Sequence, residues 1–78
     1  METSRPDWRA SNPAELGRAL ARLRRSVGLT QEQMAAATGV HRSYLSRMEA
    51  GLSTEQVQRT FALLREIGYE LAIVPTEG

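Results

Sequence analysis

Four glycines, at positions 28, 39, 51 and 68, divide this 78-residue chain into short amphipathic segments. The first, second and fourth segments open on residues suited to start a helix. Asn12-Pro13-Ala14-Glu15 supplies an N-cap, a proline at the first helical position and a glutamate for a capping box. Leu16, Ala19, Leu20 and Leu23 then recur at helical spacing, Val27 extends the stripe, and Arg18, Arg22 and Arg25 lie away from it. Thr30 opens a second helix with Gln33 as its box partner, and Met34, Ala35 and Ala37 form its inner face. His41–Ala50 makes a third. Ser53 caps a fourth, with Gln56 three residues on, and Val57, Phe61 and Leu64, flanked by Leu63 and Ile67, form its apolar stripe.

After Gly68 the period changes. Tyr69-Glu70-Leu71-Ala72-Ile73-Val74 alternates, with Tyr69, Leu71 and Ile73 on one side, and Pro75 ends it. This predicts a strand over 69–74, the only strand expected in the chain. A lone strand cannot satisfy its backbone hydrogen bonds. Its partner is expected to be the same strand of a second copy, an antiparallel ribbon across a two-fold axis, with Tyr69, Leu71 and Ile73 as the dimerisation residues. The alternative is a frayed tail packed on the fourth helix. Residues 1–11 show no sustained period and read as an N-terminal arm. The arm is followed by a helical domain over 12–68, the expected dimerisation strand over 69–74 and a tail over 75–78.

Composition narrows the function. There are no cysteines and one histidine, which excludes disulfides and thiolate metal sites. No apolar run approaches the roughly 18 residues of a membrane span, and Met1–Ala10 lacks a signal-peptide core. A soluble, cytoplasmic protein is expected, with no cofactor, no metal and no membrane partner. No phosphate-cradling glycine loop or paired carboxylates suggest an enzyme. The net charge is only +1, but residues 1–47 carry eight arginines against four acids, and residues 48–78 carry two against five. A basic first part and an acidic remainder suit one face for an anion and another for something else.

Thr30–Thr38 and His41–Ala50, joined by Thr38-Gly39-Val40, have the form of a helix-turn-helix. Gly39 suits the left-handed turn, and Val40 is expected to point inward. At about 100° per residue, Tyr44, Leu45 and Met48 share one side of the third helix. Arg42, Ser43, Ser46, Arg47 and Ala50 share the other. That polar side suits a major groove: arginine donates two bonds to guanine O6 and N7, and serine adapts as donor or acceptor. Arg42, Ser43, Ser46 and Arg47 are the candidate base contacts. Gln31, in the first turn of the second helix, is the candidate phosphate contact. His41 either donates to a phosphate or caps its helix. Glu49 lies at the edge of the recognition face, where a free carboxylate would repel DNA; either Arg24 neutralises it or it is solvated. Trp8 is either an anchor for the arm or an exposed contact, and Arg5 and Arg9 either touch DNA or solvate the arm.

The stretch Gly28-Leu29-Thr30-Gln31-Glu32-Gln33-Met34-Ala35, followed by Gly39-Val40-His41-Arg42-Ser43-Tyr44-Leu45-Ser46-Arg47-Met48-Glu49-Ala50-Gly51, closely resembles the Xre/Cro/C1-type repressor family. The resemblance covers roughly Leu16–Ile67. It implies an all-α, lambda-repressor-like domain of four or five helices that binds operator DNA as a dimer. It also implies that Gln31 meets phosphate, that Arg42, Ser43 and Arg47 reach bases, and that Arg24 and Glu49 form a structural ion pair. Ala50 departs from the family's Asn or basic residue, and one helix plus a strand replaces its last two helices. The ending Phe61–Val74 looks instead like HipB-type antitoxins. That likeness implies a homodimer paired through C-terminal strands, autoregulation at a palindromic operator, and a HipA-like kinase toxin as partner. The alternatives are a free-standing regulator without a toxin, or mainly a toxin-binding module.

Overall fold

The computed structural model describes residues 8–77. Its elements, in order, are β1 (Trp8–Ala10), α1 (Pro13–Ser26), α2 (Gln31–Thr38), α3 (Arg42–Glu49), α4 (Glu55–Glu66) and β2 (Leu71–Ile73).

Local chemistry sets the helix starts. The Asn12 side chain accepts from the Glu15 N–H at 2.8 Å. The Glu15 carboxylate does not return to the Asn12 backbone as a capping box would. It accepts instead from the Ser11 N–H at 2.7 Å and the Ser11 hydroxyl at 3.0 Å, one residue further out, and so ties the end of β1 to the first turn of α1. The backbone N–H of Ser11, then its hydroxyl and Arg18, hold the Glu15 carboxyl below its ordinary pKa. At α2 the box is complete: Thr30 accepts from the Gln33 N–H at 3.0 Å, and Gln33 accepts from the Thr30 N–H at 2.9 Å. The cap of α4 is Thr54, not Ser53; its hydroxyl accepts from the Val57 N–H.

The largest difference from the sequence reading concerns the strand. It is shorter than 69–74, and it is not alone. β1 pairs antiparallel with β2 in the register Trp8↔Ile73, Arg9↔Ala72, Ala10↔Leu71. Residues 8–10 of the supposed arm are therefore part of the domain. The argument that β2 lacks a partner within the chain is overturned, because β1 supplies one. Trp8, Ala10, Leu71 and Ile73 form the covered face of this ribbon, with Ala10 fully buried, while Arg9 and Ala72 face out. Tyr69 precedes the strand and is exposed.

The core is small: Ala10, Ala19, Ala21, Ala35, Leu45 and Phe61 are the buried apolar residues among those described. α1 is the central element, packed against α3, β1 and α4, while α2 packs on α3. Gly17, in the middle of α1, is buried against the end of α3, where a Cβ would fall inside contact distance of the Met48 carbonyl oxygen and 3.1 Å from that of Glu49. Several apolar residues assigned inward lie outside. Val27 caps α1 in the open, and Ala37, Val40 and Tyr44 are exposed. In α2 and α3, of only two turns each, Ala35 and Leu45 are buried while residues 36–38 and 42–44, on either side of the turn, are exposed.

Candidate nucleic-acid interface

The α2–turn–α3 unit presents the candidate residues. Gly39 adopts φ 76°, a left-handed conformation without steric cost only for glycine, and reverses the chain after α2. His41 occupies the N-cap of α3 through its backbone alone; its side chain makes no capping bond and is exposed. Of its two alternatives, side-chain capping is therefore not realised. Arg42 is the first helical residue, and Arg42, Ser43 and Arg47 are all exposed, while Ser46 is half-buried. Leu45 is buried on the opposite side and Met48 is half-buried. α3 thus stands on its apolar side with two guanidiniums and the Ser43 hydroxyl directed out, and no carboxylate occurs between Arg42 and Met48.

Glu49 is the one acid of α3, and it is withdrawn. Arg24 Nε donates to Glu49 Oε2 at 2.7 Å and its Nη2 to Oε1 at 2.9 Å, a bidentate pair with side chains only 9% and 6% exposed. The remaining guanidinium nitrogen, Nη1, donates to the Leu29 carbonyl oxygen at 2.8 Å. Gln31 Nε2 donates to Glu49 Oε1 at 2.8 Å. Arg24 therefore joins α1 to the start of α2 and the end of α3, and Gln31 closes the same cluster from α2. The hydrogen bonds from Arg24 hold Glu49 below its ordinary pKa, burial opposes them, and the Gln31 bond adds to the lowering. The Glu49 bond in turn raises the pKa of Arg24. A buried charge needs this kind of full pairing.

Sequence reasoning missed that Gln31 is tied inward. An amide NH₂ has two hydrogens; one is committed to Glu49 and the other is left for an outside acceptor. Gln31, Thr30, Glu32 and Arg42 line one shallow notch with Arg24, so the candidate phosphate contact and the leading candidate base contact stand side by side. Gly17 was also passed over, although a glycine in a helix interior is itself a signal of close backbone approach. Trp8 is half-buried on α1, with the Arg22 guanidinium carbon 5.8 Å from its ring centroid, within cation–π range.

Among the described residues no group of three His, Cys, Asp or Glu side chains converges, and no helix is long and apolar enough to cross a membrane.

Comparison with known proteins agrees with the geometry. Residues 15–66 match a family described as a helix-turn-helix domain. The chain is also similar to a protein of Sinorhizobium fredii (strain NBRC 101917 / NGR234), named as an uncharacterized HTH-type transcriptional regulator, y4dJ. The identity is 40% over 53 residues, covering 68% of this chain and 69% of that protein. No solved structure shows significant similarity to the chain. With two thirds of its length matched, and a two-helix unit whose outer side presents arginine and serine, the chain belongs to the helix-turn-helix domain family.

Proposed function

We propose that this protein is a sequence-specific DNA-binding transcriptional repressor that acts as a homodimer on a palindromic operator. The observation that carries the reading is α3: its buried side is fixed on the core, and its outer side offers Arg42, Ser43 and Arg47, with the Glu49 carboxylate of the same helix neutralised by Arg24. Arg42, at the N-terminal end of α3, is the base reader, with Ser43, Ser46 and Arg47 beside it. Gln31, through its second amide hydrogen, and His41 position the protein on phosphates. In a dimer, two α3 helices enter successive major grooves about 34 Å apart.

The test is selection of bound sequences from a random duplex pool, followed by titration of the selected site. Arg42→Ala should weaken binding by about 1–3 kcal/mol and relax preference at one position of each half-site. Undiminished affinity and selectivity in that variant would remove Arg42 from the reading.

The finer assignment, an autoregulating HipB-like antitoxin that holds a HipA-like kinase toxin, is supported by the acidic balance of residues 48–78, a part of the chain that α3's DNA-facing residues do not use. Recovery of a kinase with the tagged protein from its native cell would support it. Recovery of operator DNA without a kinase would leave a free-standing regulator.

A further inference from the structure

Helix α4 is amphipathic in two directions. One side carries Phe61, 1% exposed, with Val57 and Leu64 half-buried. The other carries Leu63 and, one turn on at the helix C-cap, Ile67. They are 70% and 65% exposed, and none of the described residues covers them. Gln56 and Thr60 continue this outer stripe toward the N-terminus of the helix. Adjacent large apolar side chains left bare on so small a domain signal an interaction surface.

The charges beside the stripe say what fits it. Arg59 and Glu66 are seven residues apart, so they stand on the same flank, about 20° out of line. When two such helices pack antiparallel about a two-fold axis, each flank meets the same flank of its mate. An axis passing between Ala62 and Leu63 brings Arg59 opposite the partner's Glu66 and Glu66 opposite the partner's Arg59, and sets Leu63 at the centre. A parallel arrangement would place that flank against the opposite one, which carries Thr60 and Leu64 and no charge. The stripe is therefore self-complementary in one orientation. Arg59 now bonds Glu55 at 2.7 Å, with both side chains 73% exposed, so it is at the surface and free to be shared.

We infer that the outer face of α4 seats the α4 of a second copy, antiparallel, with reciprocal Arg59–Glu66 pairs flanking Leu63 and Ile67. This deepens the dimeric reading above, and places the contact on α4 instead of on Leu71 and Ile73 of the ribbon. A 12-residue helix is about 18 Å long and roughly 10 Å across, far less than the about 800 Å² per partner of a standard interface. The association in solution is consequently weak and concentration-dependent, and two half-sites on one duplex raise it by effective concentration.

The experiment is sedimentation equilibrium of the full chain without DNA, across a wide concentration range, so that it does not depend on operator binding. Arg59→Glu and Glu66→Arg each juxtapose like charges and should weaken dimerisation by about tenfold or more, while the double variant restores it to within about threefold. Both positions are exposed, and circular dichroism will verify that each variant folds. Leu63→Cys, in a chain with no cysteine of its own, should cross-link through a short bismaleimide, whereas Ala72→Cys should not. A monomer at every concentration, a double variant no better than the singles, or cross-linking at Ala72 alone would overturn the α4 interface. Any of these results would leave the Arg42 assignment intact.

Discussion

Gly17→Ala is the substitution for which helix propensity and packing disagree most sharply. In an exposed helix interior, alanine for glycine is favourable by about 1 kcal/mol. At Gly17 the added methyl would lie inside contact distance of the Met48 carbonyl oxygen, 3.1 Å from the Glu49 oxygen and 3.2 Å from the Glu49 carbonyl carbon. All three are backbone atoms of α3 and cannot rotate away. Taking ordinary carbon–oxygen contact as about 3.3 Å, α1 and α3 must separate by roughly 1 Å. Overpacking of this kind costs about 1–3 kcal/mol. The cost here belongs at the top of that range, because the bidentate Arg24–Glu49 pair spans the same two helices. Net destabilisation of about 2 kcal/mol is expected. For a domain of this size that lowers Tm by roughly 8–16 °C. The assay is a thermal melt followed by circular dichroism, with Arg18→Ala, exposed on the next residue, as a control expected within about 0.5 kcal/mol of the parent. A Gly17→Ala protein that melts at or above the parent would show that α1 and α3 do not approach as described.

The acid response follows from Glu49. Its folded pKa lies below the ordinary 4.5 because Arg24, and then Gln31, bond the charged form. A depressed carboxyl contributes stability that is present above about 4.5 and lost as pH falls through the lowered value. Urea midpoints of the parent should therefore exceed those of Glu49→Gln at neutral pH, with the gap narrowing as pH falls toward 3. A gap independent of pH would contradict the ion pair. Phe61 is the largest fully buried side chain, and Phe61→Ala should cost about 3–5 kcal/mol. In a domain with so few buried residues that is enough to leave much of the population unfolded at 25 °C, read as lost near-neutral helicity and an early urea midpoint.

The helices were legible because their signals are local. Asn12, Thr30 and the glycine at 39 mark ends that the backbone then follows. Glu49 was legible as a site in need of a cation, since a carboxylate beside a polar recognition face has few other reasons to be tolerated. β1 was not legible: Trp-Arg-Ala is too short to display a period, and its strand character comes only from β2, more than 60 residues away in the chain. Nor could a helical wheel distinguish Val57, half-buried, from Leu63, exposed, or show that Val27, Val40 and Tyr44 remain bare. Periodicity identifies an apolar side, but only packing decides which turns of it are covered. The inward turn of Gln31 likewise depends on α2 and α3 meeting at Glu49.

The ribbon also has a kinetic consequence. It joins residues 8–10 to 71–73, so it closes a loop of nearly the whole chain, and closure of such a loop costs about 3.7 kcal/mol plus a constant. A three-residue ladder cannot offset that in an unfolded chain. The ends can zip together only after α1–α4 have condensed and brought them near. The ribbon should consequently be the last part to form and the first to open, with its amides exchanging with solvent well ahead of global unfolding.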